Sequence, residues 1–159
     1  MHAALLALLL LPSEGPANTL AASLLVDGNR STFATKITRD LSAGYAVTID
    51  CVERCTIPVH YREVTGDTLL GLFSRDQNDL IFSLWSGGSA YRVVVWSISN
   101  GNVRKVAELS SRGRPDFMSG RNGAAVIQTY EANSGTDELH RVRWTYANGK
   151  FVRSNAKGS

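Results

Sequence analysis

The sequence predicts an all-β protein, built from antiparallel meanders in an open, partial β-propeller-like arrangement, with a β-sandwich as the alternative. Three observations lead there. After residue 17 no long stretch carries a helical period, and short β-like runs are separated by Gly, Asn, Asp and Ser turns. Several runs alternate apolar and polar residues, as a strand with one packed and one wet face does. A pattern also repeats: Val94-x-Trp96-x3-Asn100-Gly101 returns as Val142-x-Trp144-x3-Asn148-Gly149, with one shift of 48 residues at all four positions. A unit of 40 to 50 residues holding three or four strands has the size of a propeller blade.

The elements follow in chain order. Ala3 to Leu11 is an unbroken apolar run, and Pro12-Ser13-Glu14-Gly15-Pro16-Ala17 then supplies breakers and small residues. Residues 1–17 read as a secretory signal peptide, although no Lys or Arg precedes the apolar run; a buried N-terminal helix is the alternative. Residues 18–159 are expected to form a single all-β domain. Strands are predicted at Leu20–Val26, Thr32–Ile37, Tyr45–Cys51, Cys55–Val64, Thr68–Phe73, Asp79–Trp85, Tyr91–Ile98, Val103–Leu109, Ala124–Glu131, Leu139–Tyr146 and Lys150–Arg153. Asp27-Gly28 is among the breaks with turn chemistry, and Asn100-Gly101 and Asn148-Gly149 are strong hairpin signals, because both residues of Asn-Gly tolerate positive φ. Tyr91–Ile98 is apolar on both faces and should lie centrally. In Leu139–Tyr146, His140, Val142, Trp144 and Tyr146 share one face and Arg141, Arg143 and Thr145 the other. A fainter third copy of the repeat spans Thr32–Tyr61. Without the leader about 142 residues remain, roughly three units, whereas closed propellers use about 4 to 8 blades. The stack should therefore stay open.

Cys51 and Cys55 sit between two β-like runs with three residues between them. A short loop joining antiparallel strands would bring them within disulfide reach, since cross-strand pairs lie about 4.5–5.5 Å apart at Cα. Two buried free thiols are the alternative. The C-x3-C spacing is not that of a thioredoxin-like site, and no His lies close enough to complete a zinc set. With the leader, the pair points to an oxidising compartment, the periplasm or outside the cell.

Composition excludes several classes. With 43% hydrophobic and 19% charged residues the chain is not a disordered one. No apolar run approaches the roughly 20 residues of a membrane-spanning helix. The net charge of +3 comes from 13 Arg and 4 Lys spread along the chain, which is not a nucleic-acid footprint. Gly87-Gly88-Ser89-Ala90 lacks the nucleophile-elbow pattern, and no phosphate-binding Gly loop is present. His60 and His140 read as structural, and Asp76, Asn78 and Asp79 lack calcium-loop spacing. No catalytic residue, metal site or cofactor is therefore expected, and the chain is not read as an enzyme.

Binding is better supported. Glu108 to Asp116 joins the two clear repeats and is polar, basic and shaped by Gly113 and Pro115. Connectors in repeat β architectures gather on one face and carry function. Ser110 and Ser111 offer small hydroxyls, and Arg112 and Arg114 can fork onto carboxylates. The loop 133–137 and its counterpart Ser86, Gly87, Gly88 and Ser89 are further candidates. Trp85 and Tyr130 are expected as exposed aromatics that would suit a second function, binding a cell-wall glycan or peptide.

A small secreted all-β protein with one cysteine pair (Cys51, Cys55), the repeat at Trp96 and Trp144, and the Ser110-Ser111 connector resembles the periplasmic immunity proteins of type VI secretion amidase effectors. The resemblance implies tight binding to a secreted Cys/His peptidoglycan amidase, with a loop occluding its catalytic cleft. Ser110 and Ser111 would enter that cleft and hydrogen-bond its histidine. Arg112, Arg114, Ser86, Gly87 and Ser89 would form the rim.

Overall fold

The computed structural model describes residues 18–75 and 77–155. The expected leader at 1–17 and Asp76 lie outside the described residues. Twelve strands form three four-stranded sheets, each made of consecutive strands. The first holds β1 (Thr19–Val26), β2 (Asn29–Asp40), β3 (Gly44–Glu53) and β4 (His60–Thr65). The second holds β5 (Thr68–Arg75), β6 (Leu80–Gly87), β7 (Ala90–Ser99) and β8 (Asn102–Ser111). The third holds β9 (Asp116–Ser119), β10 (Ala125–Ala132), β11 (Leu139–Ala147) and β12 (Lys150–Asn155). Every pairing is antiparallel, as short connections require. The all-β, open-meander expectation therefore holds.

The tight turns form where their chemistry allows. Asn100-Gly101 (φ 49° and 72°) and Asn148-Gly149 (φ 52° and 76°) both place two successive residues at positive φ. That conformation matches the right-handed twist of the flanking strands, so Ser99 pairs directly with Asn102 and Ala147 with Lys150.

The second sheet lies between the other two and is apolar on both faces. Ile81, Trp85, Val94, Trp96 and Ile98 pack against Leu24, Phe33, Val47 and Ile49 of the first sheet. Leu80, Phe82, Leu84, Val93 and Val95 pack against Ala125 and Ile127 of the third, with Trp144, Tyr146 and Phe151 beside them. This two-sided burial is why Tyr91–Ile98 has no polar face. Trp96 and Trp144 occupy the third strand of their sheets, and each faces the preceding sheet. The 48-residue repeat thus marks equivalent core positions.

Four expectations are corrected. Trp85 is 1% exposed, buried in the first core with Nε1 donating to Ser83 Oγ at 2.6 Å. The strand predicted from Cys55 starts only at His60, because Pro58 offers no N–H and Arg54 takes a φ of 55°. Cys55 therefore lies in a loop, and the disulfide to Cys51 spans 6.0 Å between Cα atoms. Strand β9 was not predicted: it is four residues long and is held by Phe117, whose ring meets Phe73 at 4.8 Å and Phe82 at 6.1 Å. Finally, β8 extends two residues beyond the predicted end, so Ser110 and Ser111 belong to the strand and pair with Arg92 and Tyr91.

Candidate functional site

The candidate site is built where the chain steps from the second sheet to the third. Ser110 and Ser111 close β8, and Arg112-Gly113-Arg114-Pro115 cross to β9. The crossing is pinned at several atoms. Arg112 N–H donates to the Tyr130 carbonyl at 2.8 Å. Tyr130 N–H donates to Ser111 Oγ at 2.9 Å, and Ser111 Oγ in turn donates to the Gly113 carbonyl at 2.7 Å. Gly113 lies on the Tyr130 ring, where an added Cβ would stand 3.1 Å from its carbons. Pro115 is buried. The connector is thus a fixed feature rather than a loose tether.

Its residues divide by exposure. Ser110, Arg112 and Arg114 are exposed, whereas Ser111 is 1% exposed with its hydroxyl committed on both sides. Ser111 is therefore an anchor of the connector and does not have the free hydroxyl that insertion into a partner's cleft requires. Arg112 Nη1 donates to Ser89 Oγ at 3.3 Å, which joins the connector to the β6–β7 turn. Gly87 and Ser89 in that turn are exposed and Ser86 is half-buried. Six of the seven expected partner-contact residues thus retain some exposure, and Arg112 and Ser89 are in contact. The loop 133–138 lies at the same end, closed by Asn133 N–H on the Glu138 carbonyl at 3.0 Å.

Beside the connector is a groove of about 390 Å³. Glu108, Ser110, Ser111 and Arg112 line one side, and Tyr130, Glu131, Ala132 and Trp144 the other. Trp144 Nε1 donates to Thr129 Oγ1 at 3.0 Å, which fixes the indole. Glu131 accepts from Arg153 at 2.8 Å, and Arg153 sits 5.8 Å from the Trp144 ring centre.

A charged network braces the same end between the first two sheets. The Arg92 guanidinium reaches Asp67 at 2.5 Å, Glu108 at 3.1 Å and Thr65 Oγ1 at 2.5 Å. Lys105 bridges Glu63 at 2.7 Å and Glu108 at 2.8 Å. The Lys105 hydrogen bond, outweighing the opposing effect of burial, holds the Glu108 carboxyl below its ordinary pKa. Burial draws the Lys105 pKa down, but the hydrogen bonds to Glu108 and Glu63 more than reverse it. An added Cβ at Gly87 would stand 2.5 Å from Asp67 Oδ1, so a larger residue there would push on the carboxylate that Arg92 holds. Sequence reading missed Arg92, Asp67 and Glu131. An arginine within an otherwise apolar central strand was the one signal for Arg92.

The rest of the chemistry is dispersed. His60 pairs with Asp50 at 2.5 Å on the first sheet, and His140 lies 3.5 Å from Glu131 on the third. Among the described residues no group of three His, Cys, Asp or Glu is placed to hold a metal ion. No described helix is long and apolar enough to cross a membrane. The Cys51–Cys55 bridge is at the far end of the sheets, where Ile57 covers the Asn100-Gly101 turn. Comparison of the chain with protein-family models, with curated proteins and with solved structures finds no match in any of the three.

Proposed function

We propose that the chain is a periplasmic immunity or inhibitor protein, which binds a secreted Cys/His peptidoglycan amidase and occludes its active-site cleft with the 110–114 connector. The observation that carries this reading is the combination of exposure and fixation in that connector. Ser110, Arg112 and Arg114 stand out from a backbone held by Ser111, Tyr130 and a buried Pro115. A surface feature ordered before binding loses little further entropy on docking, so more of its contact energy appears as affinity. Small side chains at Ser110 and Gly113 suit a narrow cleft. The intramolecular disulfide favours an oxidising compartment.

Inhibition of purified small Cys/His amidases acting on isolated peptidoglycan provides the test. Ser110→Arg changes an exposed side chain and should leave the melting temperature unchanged while weakening inhibition about 100-fold, a loss of roughly 2.7 kcal/mol. Full inhibition by that variant sinks the connector assignment.

The groove beside Trp144 favours a second reading, a module that binds a cell-wall glycan or peptide. Retention of the purified chain on peptidoglycan, without inhibition of any amidase, would select it.

A further inference from the structure

The outer face of the third sheet carries two neighbouring arginines beside an aromatic ring. His140, Val142, Trp144 and Tyr146 alternate toward the second sheet, so Arg141, Arg143 and Thr145 point away from it. Both arginines are exposed, and among the described residues neither has a carboxylate within 4.0 Å. Arg141 stands opposite Tyr130 and Arg143 opposite Gln128, which in turn stands opposite Asp116. Asp116 is the acid of this face, and its Oδ2 is engaged by Tyr130 Oη at 2.6 Å and Gln128 Nε2 at 3.1 Å. On the outer face of the first sheet two of the charged groups are paired, Arg62 with Asp40 at 2.8 Å and His60 with Asp50 at 2.5 Å, while Lys36 is exposed there without a carboxylate partner among the described residues.

The face also continues the connector. Tyr130 carries both of the backbone bonds that pin residues 111 and 112, and its ring lies under Gly113. An aromatic ring bordered by arginines, with Met118 and Val152 a further row along the strands, has the composition of a protein contact rather than of a solvated face.

We infer that this face docks an acidic protein surface and is the second half of the partner contact, resting on the reading that the connector binds a protein. Arg141 and Arg143 supply guanidinium forks for two carboxylates of the partner, and Tyr130 supplies the apolar centre. A polyanion fits less well. Nucleic-acid binding draws on many cation–phosphate contacts, roughly 6–10 in a strongly salt-dependent complex, and here Asp116 interrupts a row that holds few cations.

Titration of the isotope-labelled full chain, followed by amide NMR, tests this with three probes: hexaglutamate peptide, a single-stranded DNA 12-mer and phosphatidylglycerol vesicles. Hexaglutamate should move the amides of 128–130 and 141–143, and R141E/R143E should weaken that binding on the order of tenfold with the spectrum otherwise intact. If charge reversal disturbs the fold, Arg141→Gln with Arg143→Gln replaces it and should give a smaller loss in the same direction. Shifts spread over Arg30 and Lys36 of the first sheet overturn the inference, as does tighter binding of DNA or vesicles than of the peptide. Amidase inhibition that Ser110→Arg abolishes, with no peptide effect at 141–143, removes this inference alone. Peptide shifts at 141–143 with no inhibition of any amidase remove only the amidase reading.

Discussion

Ser111 holds more of the candidate site together than its size suggests. Its hydroxyl accepts from Tyr130 N–H and donates to the Gly113 carbonyl, both close to a buried strand end. Ser111→Ala leaves those groups unpaired, at a cost of about 1–3 kcal/mol measurable by urea unfolding. The same variant should loosen the connector and weaken any partner by a route that Ser110→Arg does not share. Glu108 and Lys105 govern the response to pH. The folded-state pKa of Glu108 is lowered, chiefly by the Lys105 hydrogen bond, so its contribution is present above its ordinary value of 4.5 and is lost as pH falls below that. The Lys105 pKa is raised, so its contribution is present up to 10.5 and is lost as pH rises through the shifted value. Unfolding midpoints measured against pH should therefore show an acid limb below about pH 4.5 that Glu108→Gln flattens. Asp40 contributes to that limb lower down, since hydrogen bonds from the Ser42 side chain and backbone hold its pKa at about 2.

At the scale of the strand, equivalent positions in the repeat are not energetically equal. Trp96 is 1% exposed in the core between the first two sheets, whereas Trp144 is half-buried at the rim of the groove. Trp96→Ala should cost about 3–5 kcal/mol, and Trp144→Ala clearly less, read from denaturant midpoints with unchanged m values. Trp144→Ala should instead affect whatever occupies the groove. The shared Val-x-Trp spacing was visible in the sequence because alternation and the Asn-Gly turn are local properties. The difference between the two tryptophans was not, because it depends on which sheet follows. The second sheet is covered on both sides, and among the described residues the third has no sheet beyond it. Strand β9 was illegible for a related reason. Its four residues become a strand only because Phe117 finds Phe73 and Phe82 some forty residues earlier.

At the scale of the molecule, the stack has two ends where a ring-closing sheet would have to dock. One is the outer face of the first sheet, with Lys36, Arg62, Asp50 and His60, and the other is the basic face of the third. Burying either against a copy of itself would desolvate cations that have no carboxylate partner among the described residues, Lys36 on the first face and Arg141 and Arg143 on the third. Light scattering after size exclusion should therefore report a monomer near 17.3 kDa for the full chain. A dimer that closes two stacks into one ring would contradict this assignment of the outer faces.

Local sequence suffices for the all-β class, the hairpin turns, the central place of Tyr91–Ile98 and the closeness of Cys51 to Cys55. Each of these rests on properties of neighbouring residues: φ preference, period-two alternation, and reach between two nearby cysteines. Tertiary structure alone decided that Ser111 is an anchor while Ser110, Arg112 and Arg114 are offered to solvent. It also decided that Trp85 is core, that Arg92 clasps Asp67 and Glu108, and that Arg141 and Arg143 share an unpaired face. Exposure and charge pairing are set by residues distant in sequence, and only the packing of one sheet on the next brings those residues together.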